Sequence, residues 1–249
     1  MKKATPQKTK THPEWMKRAR KFFPIILIPL WVFVSVVAAQ LVVGWMMIAI
    51  FDASAMGSPG MTALYSVISY ALAVILIIFV PLAFVKKWKT SREEMGLNGL
   101  PTWTDLGLAP VGFVVAALAA AGLAAVFSVF PWFDVSEAQD VGFSTFLTGG
   151  ERALAFITLV VLAPILEELI FRGFLYGKLR ARFSMPISII VTSLVFAILH
   201  FQWNVGVNVF ALSVVLCALR EVTGTVYSGI IAHMIKNGVA FYLLYILGM

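Results

Sequence analysis

Residues 24–51 read PIILIPLWVFVSVVAAQLVVGWMMIAIF, 28 residues without one charged side chain. A helix that crosses the hydrocarbon core of a bilayer needs about 20 such residues. The stretch therefore reads as a membrane span. Val37-Ala38-Ala39 before Gln40 resembles a signal-peptidase site behind a basic segment. The apolar run continues well past it, which suits a retained anchor better than a cleaved signal. The rest of the chain agrees with a membrane setting. Of its 249 residues, 61% are hydrophobic and 12% charged, against roughly a quarter charged in soluble domains. The mean hydropathy is +0.94. A water-soluble domain and a disordered chain are both excluded.

Six further apolar runs follow, at 62–85, 106–130, 153–176, 185–201, 205–219 and 225–247. We read an all-α, polytopic membrane helix bundle of about seven transmembrane helices. It divides into a basic cytosolic tail at 1–23, three N-terminal spans within 24–150 and four C-terminal spans within 151–249. Segments rich in Lys/Arg (the tail, 86–92, 178–182 and Arg220) alternate with loops that carry Asp52, or Asp134, Glu137 and Asp140. The positive-inside rule then puts the N-terminus in the cytosol and the C-terminus outside.

The net charge of +7 is carried by residues 1–21, where eight Lys/Arg accompany Glu14. The remaining charges balance. A nucleic-acid-binding surface spreads its basic residues among aromatics on a folded face, so no nucleic acid is expected as a partner. A basic tail abutting a span reads as a topology signal that also touches the anionic lipid bilayer. The single cysteine, Cys217, permits no intramolecular disulfide and reads as a small packing residue.

Ionisable residues inside a membrane are costly and need a reason. The first three spans are almost free of them. The fourth holds Glu167, Glu168 and Arg172, the fifth His200, and the seventh His233, Lys236 and Asn237. Glu168 and Arg172 stand four apart and share a helix face, so they can pair. Glu167 points about 100° away and is left free for another task. Phe196 with His200, and His233 with Asn237, share faces at the same spacing. With cytosolic ends at Gly177, Ser184 and Gly224, Glu167 lies about 15 Å deep, His200 about 24 Å, His233 about 14 Å and Asn237 about 20 Å. Such depths allow the four to meet near the midplane. A carboxylate there can act as general base on water, and His200 can hold that water or coordinate a metal. His233 and Asn237 can donate to a developing oxyanion. No nucleophile elbow or His-Glu-x-x-His pattern is present, which favours water attack. Structural readings stand beside these. The Glu168–Arg172 pair can be purely architectural, a lone His or Asn can join helices, Phe196 packs in either case, and Lys236 reads as snorkelling to water. Glu151 and Arg152 sit at a span edge with no assigned role.

Glu-Glu-x-x-x-Arg at 167–172, Phe-x-x-x-His at 196–200 and His-x-x-x-Asn at 233–237 occur in order on three spans. This set resembles the CPBP family of intramembrane proteases, which includes CAAX prenyl proteases and bacteriocin-processing (Abi) proteins. The resemblance covers about residues 150–245. Ser213 and Cys217 stand where relatives often carry glycine, and Thr223-Gly224-Thr225 stands for Thr-Gly-Ser. The resemblance implies an intramembrane endopeptidase acting on a membrane-associated peptide or protein. Glu167 and His200 would activate water, His233 and Asn237 would form the oxyanion hole, and Glu168, Arg172 and Phe196 would support them. Zinc stays open, with Glu167, His200 and His233 as its ligands; the spacing matches no diagnostic zinc pattern, which leans towards a metal-free site. The other class left open is a catalytically silent scaffold or immunity protein of the same fold. Short loops and the charge pattern suggest a bacterial cell membrane.

Overall fold

The computed structural model describes residues 22–51, 57–84, 89–134, 142–143 and 147–248. Most of the tail, Asp52, Lys86, Lys87, Glu137 and Asp140 lie outside the described residues, and with them much of the topology signal.

The described residues form helices and no strands. Helix α1 is Pro24–Ile50. Helix α2 runs from Pro59–Val74 through a π-helical turn, Ile75–Phe79, into Val80–Phe84. Helix α3 is Trp103–Phe127, α4 Gly149–Arg180, α5 Met185–Ile198, α6 Trp203–Thr223 and α7 Tyr227–Tyr245. By length and composition, five of these can cross a membrane: α1, α2, α3, α4 and α6. The expected fifth span is shorter than the apolar run suggested. Its 14 helical residues reach about 21 Å, less than a hydrocarbon core of about 30 Å. The run ends early because His200 N–H tightens onto Ala197 O at 3.1 Å, and Phe201 turns left-handed at φ 54°. Helix α7, with His233, Lys236 and Asn237 in 19 residues, is not among the five either. Of the two helices that fall short, α5 carries Phe196 and α7 carries His233 and Asn237, whereas the Glu-Glu-x-x-x-Arg motif lies on α4, one of the five.

Helix ends follow their local sequence. Ser58 caps α2, accepting from Met61 N–H at 3.4 Å, with Pro59 at the first helical position. Thr102 and Asp105 form a reciprocal capping box at the start of α3. Thr148 and Glu151 form another at the start of α4, which gives Glu151 the role the sequence reading withheld. Gly224, at φ 72°, closes α6 in the left-handed conformation that glycine adopts without strain.

Three apolar clusters set the architecture, one of which joins Ala63 of α2, Ala155 and Val160 of α4, and Phe241 and Tyr245 of α7. Ile28, Val32, Ile77, Phe171, Phe174 and Leu175 join α1, α2 and α4. Ala109, Ala116, Leu212, Leu216 and Ala232 join α3, α6 and α7. The outer faces are apolar and bare, Trp45 being 72% exposed on α1 and Leu118 69% on α3, as lipid-facing surfaces are. One end of the bundle is stitched by polar contacts. Lys178 pairs with Glu94 at 2.8 Å, and Arg180 with Glu221 at 2.8 Å. Arg220 Nη2 donates to Glu94 O at 3.3 Å. The basic residues Lys178 and Arg180 therefore serve as braces.

Candidate active site

Helix α4 is built in alternating registers. The segments Ile157–Leu162 and Leu169–Leu175 are π-helical, and the short α-helical segment between them, Ala163–Glu168, carries both glutamates. In the first π turn the N–H of Ala163 reaches back to Thr158 O. The same register would offer Leu159 O to residue 164, a proline with no N–H. Asn237 takes that place, its Nδ2 donating to Leu159 O at 2.9 Å. The proline and the asparagine, on different helices, are two halves of one contact.

The second glutamate is wholly enclosed. Glu168 and Arg172 are both 0% exposed, and Arg172 Nη1 donates to Glu168 Oε1 at 2.9 Å. The guanidinium lies over the Phe196 ring at 4.6 Å from its centroid. His233 Nδ1 stands 3.1 Å from the same Glu168 oxygen. A paired carboxylate only accepts, so Nδ1 carries the proton and donates. A Cβ added at Gly229 would lie 3.0 Å from Glu168 Oε2, so the glycine lets α7 approach closely. Cys217 and Ser213 are fully buried. Cys217 lies beside Arg172 and Ser193, so the small residues in place of glycine still permit close helix approach.

The first glutamate has different surroundings. Glu167 keeps 15% of its side chain exposed and faces His233 Nε2 at 3.8 Å. It is not free, as the spacing implied: Tyr70 of α2 donates its hydroxyl proton to Glu167 Oε1 in a short hydrogen bond. Helical spacing excludes Arg172 as a partner for Glu167 but says nothing of side chains arriving from other helices. His200 Nδ1 lies 2.8 Å from Phe196 O. A carbonyl only accepts, so Nδ1 bears the proton and Nε2 is left as an acceptor. Glu167, Lys236 and His233 are all within electrostatic reach of His200.

The structure thus gathers Glu167, Glu168, Arg172, Phe196, His200 and His233 around one point. Asn237 is attached eight residues before Glu167 on α4. One of its two amide hydrogens is committed to Leu159, which halves its capacity to serve an oxyanion. No group of three or more His, Cys, Asp or Glu among the described residues is placed to hold a metal ion. In the trio Glu167, His200 and His233, each imidazole commits its Nδ1 as a donor, His233 to Glu168 and His200 to Phe196 O, which leaves both Nε2 atoms as acceptors.

Two polar residues escaped the sequence reading. Tyr70 sits in an apolar run where a lone tyrosine looks like packing. Asp105 lies one residue before the expected third span; it is fully buried and accepts from Thr225 Oγ1 at 2.5 Å, tying α3 to the α6–α7 turn. Thr102-x-x-Asp105 is a capping-box signature that the sequence does display.

Residues 149–239 match the family model described as type II CAAX prenyl endopeptidase Rce1-like. This region is Rce1-like. It opens at the first residue of α4 and closes within α7, so Glu167, His200, His233 and Asn237 all fall in it. Tyr70 and Asp105 fall outside the Rce1-like region. No curated protein and no solved structure matches the chain.

Proposed function

We propose that this chain is an intramembrane endopeptidase that cleaves a membrane-associated peptide or protein by attack of water. The observation that carries this reading is the division between neighbouring carboxylates. Glu168 is occupied by Arg172 and His233, whereas Glu167 is oriented by Tyr70 and retains an exposed edge. The Rce1-like match supports a CAAX-type protease. In the proposed reaction Glu167 Oε2 takes one proton from water while His200 Nε2 accepts a hydrogen bond from the other. The water oxygen bonds to the carbonyl carbon. His233 Nε2, when protonated, and the second amide hydrogen of Asn237 donate to the oxyanion. The C–N bond then breaks, and Glu167 returns its proton to the leaving nitrogen. The first three helices act as a lipid-facing buttress for the four that follow, in a bacterial cell membrane with the N-terminus cytosolic.

The test is to compare peptides released from membranes of cells making the wild-type chain and the Glu167→Gln variant at equal abundance. We expect a set of fragments produced by the wild type alone. Identical sets would overturn the endopeptidase and leave the silent scaffold.

A further inference from the structure

Helix α1 carries two apolar stripes. Ile28, Val32, Ala39, Val43 and Met47 turn inward and are buried. On the opposite face stand Leu30, Val34, Val37, Leu41, Gly44 and Ile48, at spacings of four, three, four, three and four residues. Leu30, Val34, Leu41 and Ile48 are exposed, and Val37 and Gly44 are half-buried. This is the 3.5-residue repeat with which one helix seats against another along a left-handed seam. Any lipid-facing stripe comes close to that spacing, so the stripe alone decides nothing. Gln40 decides it.

Gln40 is exposed beside the stripe, and its carboxamide makes no hydrogen bond among the described residues. Its backbone O accepts from Tyr65 Oη at 3.3 Å. Gln40 stands about 24 Å from the start of α1 and about 15 Å from its end, inside a hydrocarbon core of about 30 Å. An amide left without a partner in hydrocarbon is costly, and a polar group arriving from another helix removes the cost. The chain itself supplies that group. Two copies inserted in one membrane share one orientation, so a twofold axis along the membrane normal sets their α1 helices parallel. With Val34, Leu41 and Ile48 at a and Leu30, Val37 and Gly44 at d, Gln40 takes a g position and Trp45 the e position that follows it. In a parallel pair these positions face each other across the seam. Trp45 is exposed, and its indole N–H has no partner among the described residues. That N–H donates and the amide oxygen of Gln40 accepts, and the symmetry makes the contact twice. Gly44 lies on the seam between them and lets the backbones approach. No charged residue in 24–51 repels a like helix.

We propose that α1 is a dimerisation face whose partner is the α1 of a second copy of this chain, with Gln40 of each copy accepting from Trp45 of the other. The endopeptidase reading is not needed for it.

The test uses the full chain in phosphatidylcholine vesicles. Donor- and acceptor-labelled copies, mixed over a range of protein-to-lipid ratios, give the dimer fraction by energy transfer. We expect a dimer that dilutes reversibly into monomers. Gln40→Leu and Trp45→Phe should each raise its dissociation constant about tenfold at unchanged folded yield. Combined, they should cost no more than either alone, because each removes the same contact. Val37→Cys and Leu41→Cys should cross-link two copies on oxidation. Val42→Cys, exposed but turned off the seam, should not, and the wild type with its buried Cys217 is the blank. Monomers at every ratio, a dimer indifferent to Gln40→Leu, additive losses in the double variant, or cross-linking through Val42→Cys ahead of Leu41→Cys would each overturn the proposal. So would a chain that is monomeric in vesicles and cross-links through Leu41→Cys in cells to another protein alone, which would give this face to a different partner.

Discussion

Helices α1, α2 and α3 bury 28, 28 and 11% of their most apolar windows, whereas α4 and α6 bury 44 and 50%. The first group meets lipid with apolar side chains. The second folds inward around the charged residues that lipid would reject. A membrane protein can hold Glu167, Glu168, Arg172 and His233 only where other helices enclose them. The two regions are not independent, however. Tyr70 reaches from α2 to Glu167, and Asp105 reaches from α3 to Thr225. The lipid-facing region supplies two polar contacts that fix the polar one.

This division can be attacked from both sides. The strongest blow falls on the interior. Arg172→Met strips Glu168 of its buried partner and should destabilise the fold by about 3–5 kcal/mol, seen as a large loss of folded protein in detergent. Normal yield would mean that the interior pair is not what α4 depends on. Tyr70→Phe removes a hydrogen bond to a charged group, an interaction of about 1.5–3 kcal/mol. It should lower cleavage tenfold or more at near-normal folded yield, whereas unchanged cleavage would detach α2 from the site. Asn237→Ala leaves Leu159 O unpaired, at about 1–3 kcal/mol. Adding Pro164→Ala restores an N–H at that position and should recover part of the thermal stability; no recovery would dissolve the proline–asparagine link. Thr102→Ala, which removes the cap of α3, should cost about 1 kcal/mol and leave cleavage almost untouched. A large activity loss there would make α3 part of the chemistry.

Much of this was legible in the sequence for simple reasons. Apolar runs longer than a bilayer is thick announce spans, and ionisable residues stand out against them. The Glu168–Arg172 pair follows from spacing of four on one helix. What spacing cannot supply is contact between helices. Tyr70 is a tyrosine among Ser69, Ala71 and Leu72 in a run without charges, and only packing brings it to Glu167. The link between Pro164 and Asn237 depends on a π register that apolar sequence does not encode. Helix α5 ends early at a tightened turn, within an apolar run that continues to Phe201.

The proposed chemistry depends on the separation of two adjacent glutamates. The decisive measurement is peptide cleavage by purified, reconstituted protein, normalised to folded yield, for wild type, Glu167→Gln and Glu168→Gln. Glu167→Gln should fold normally and lose cleavage by about two to four orders of magnitude, the contribution of a general base. Glu168→Gln should show its main defect as reduced folded yield. A Glu167→Gln protein that folds and cleaves like the wild type would contradict the assignment of Glu167 as the base.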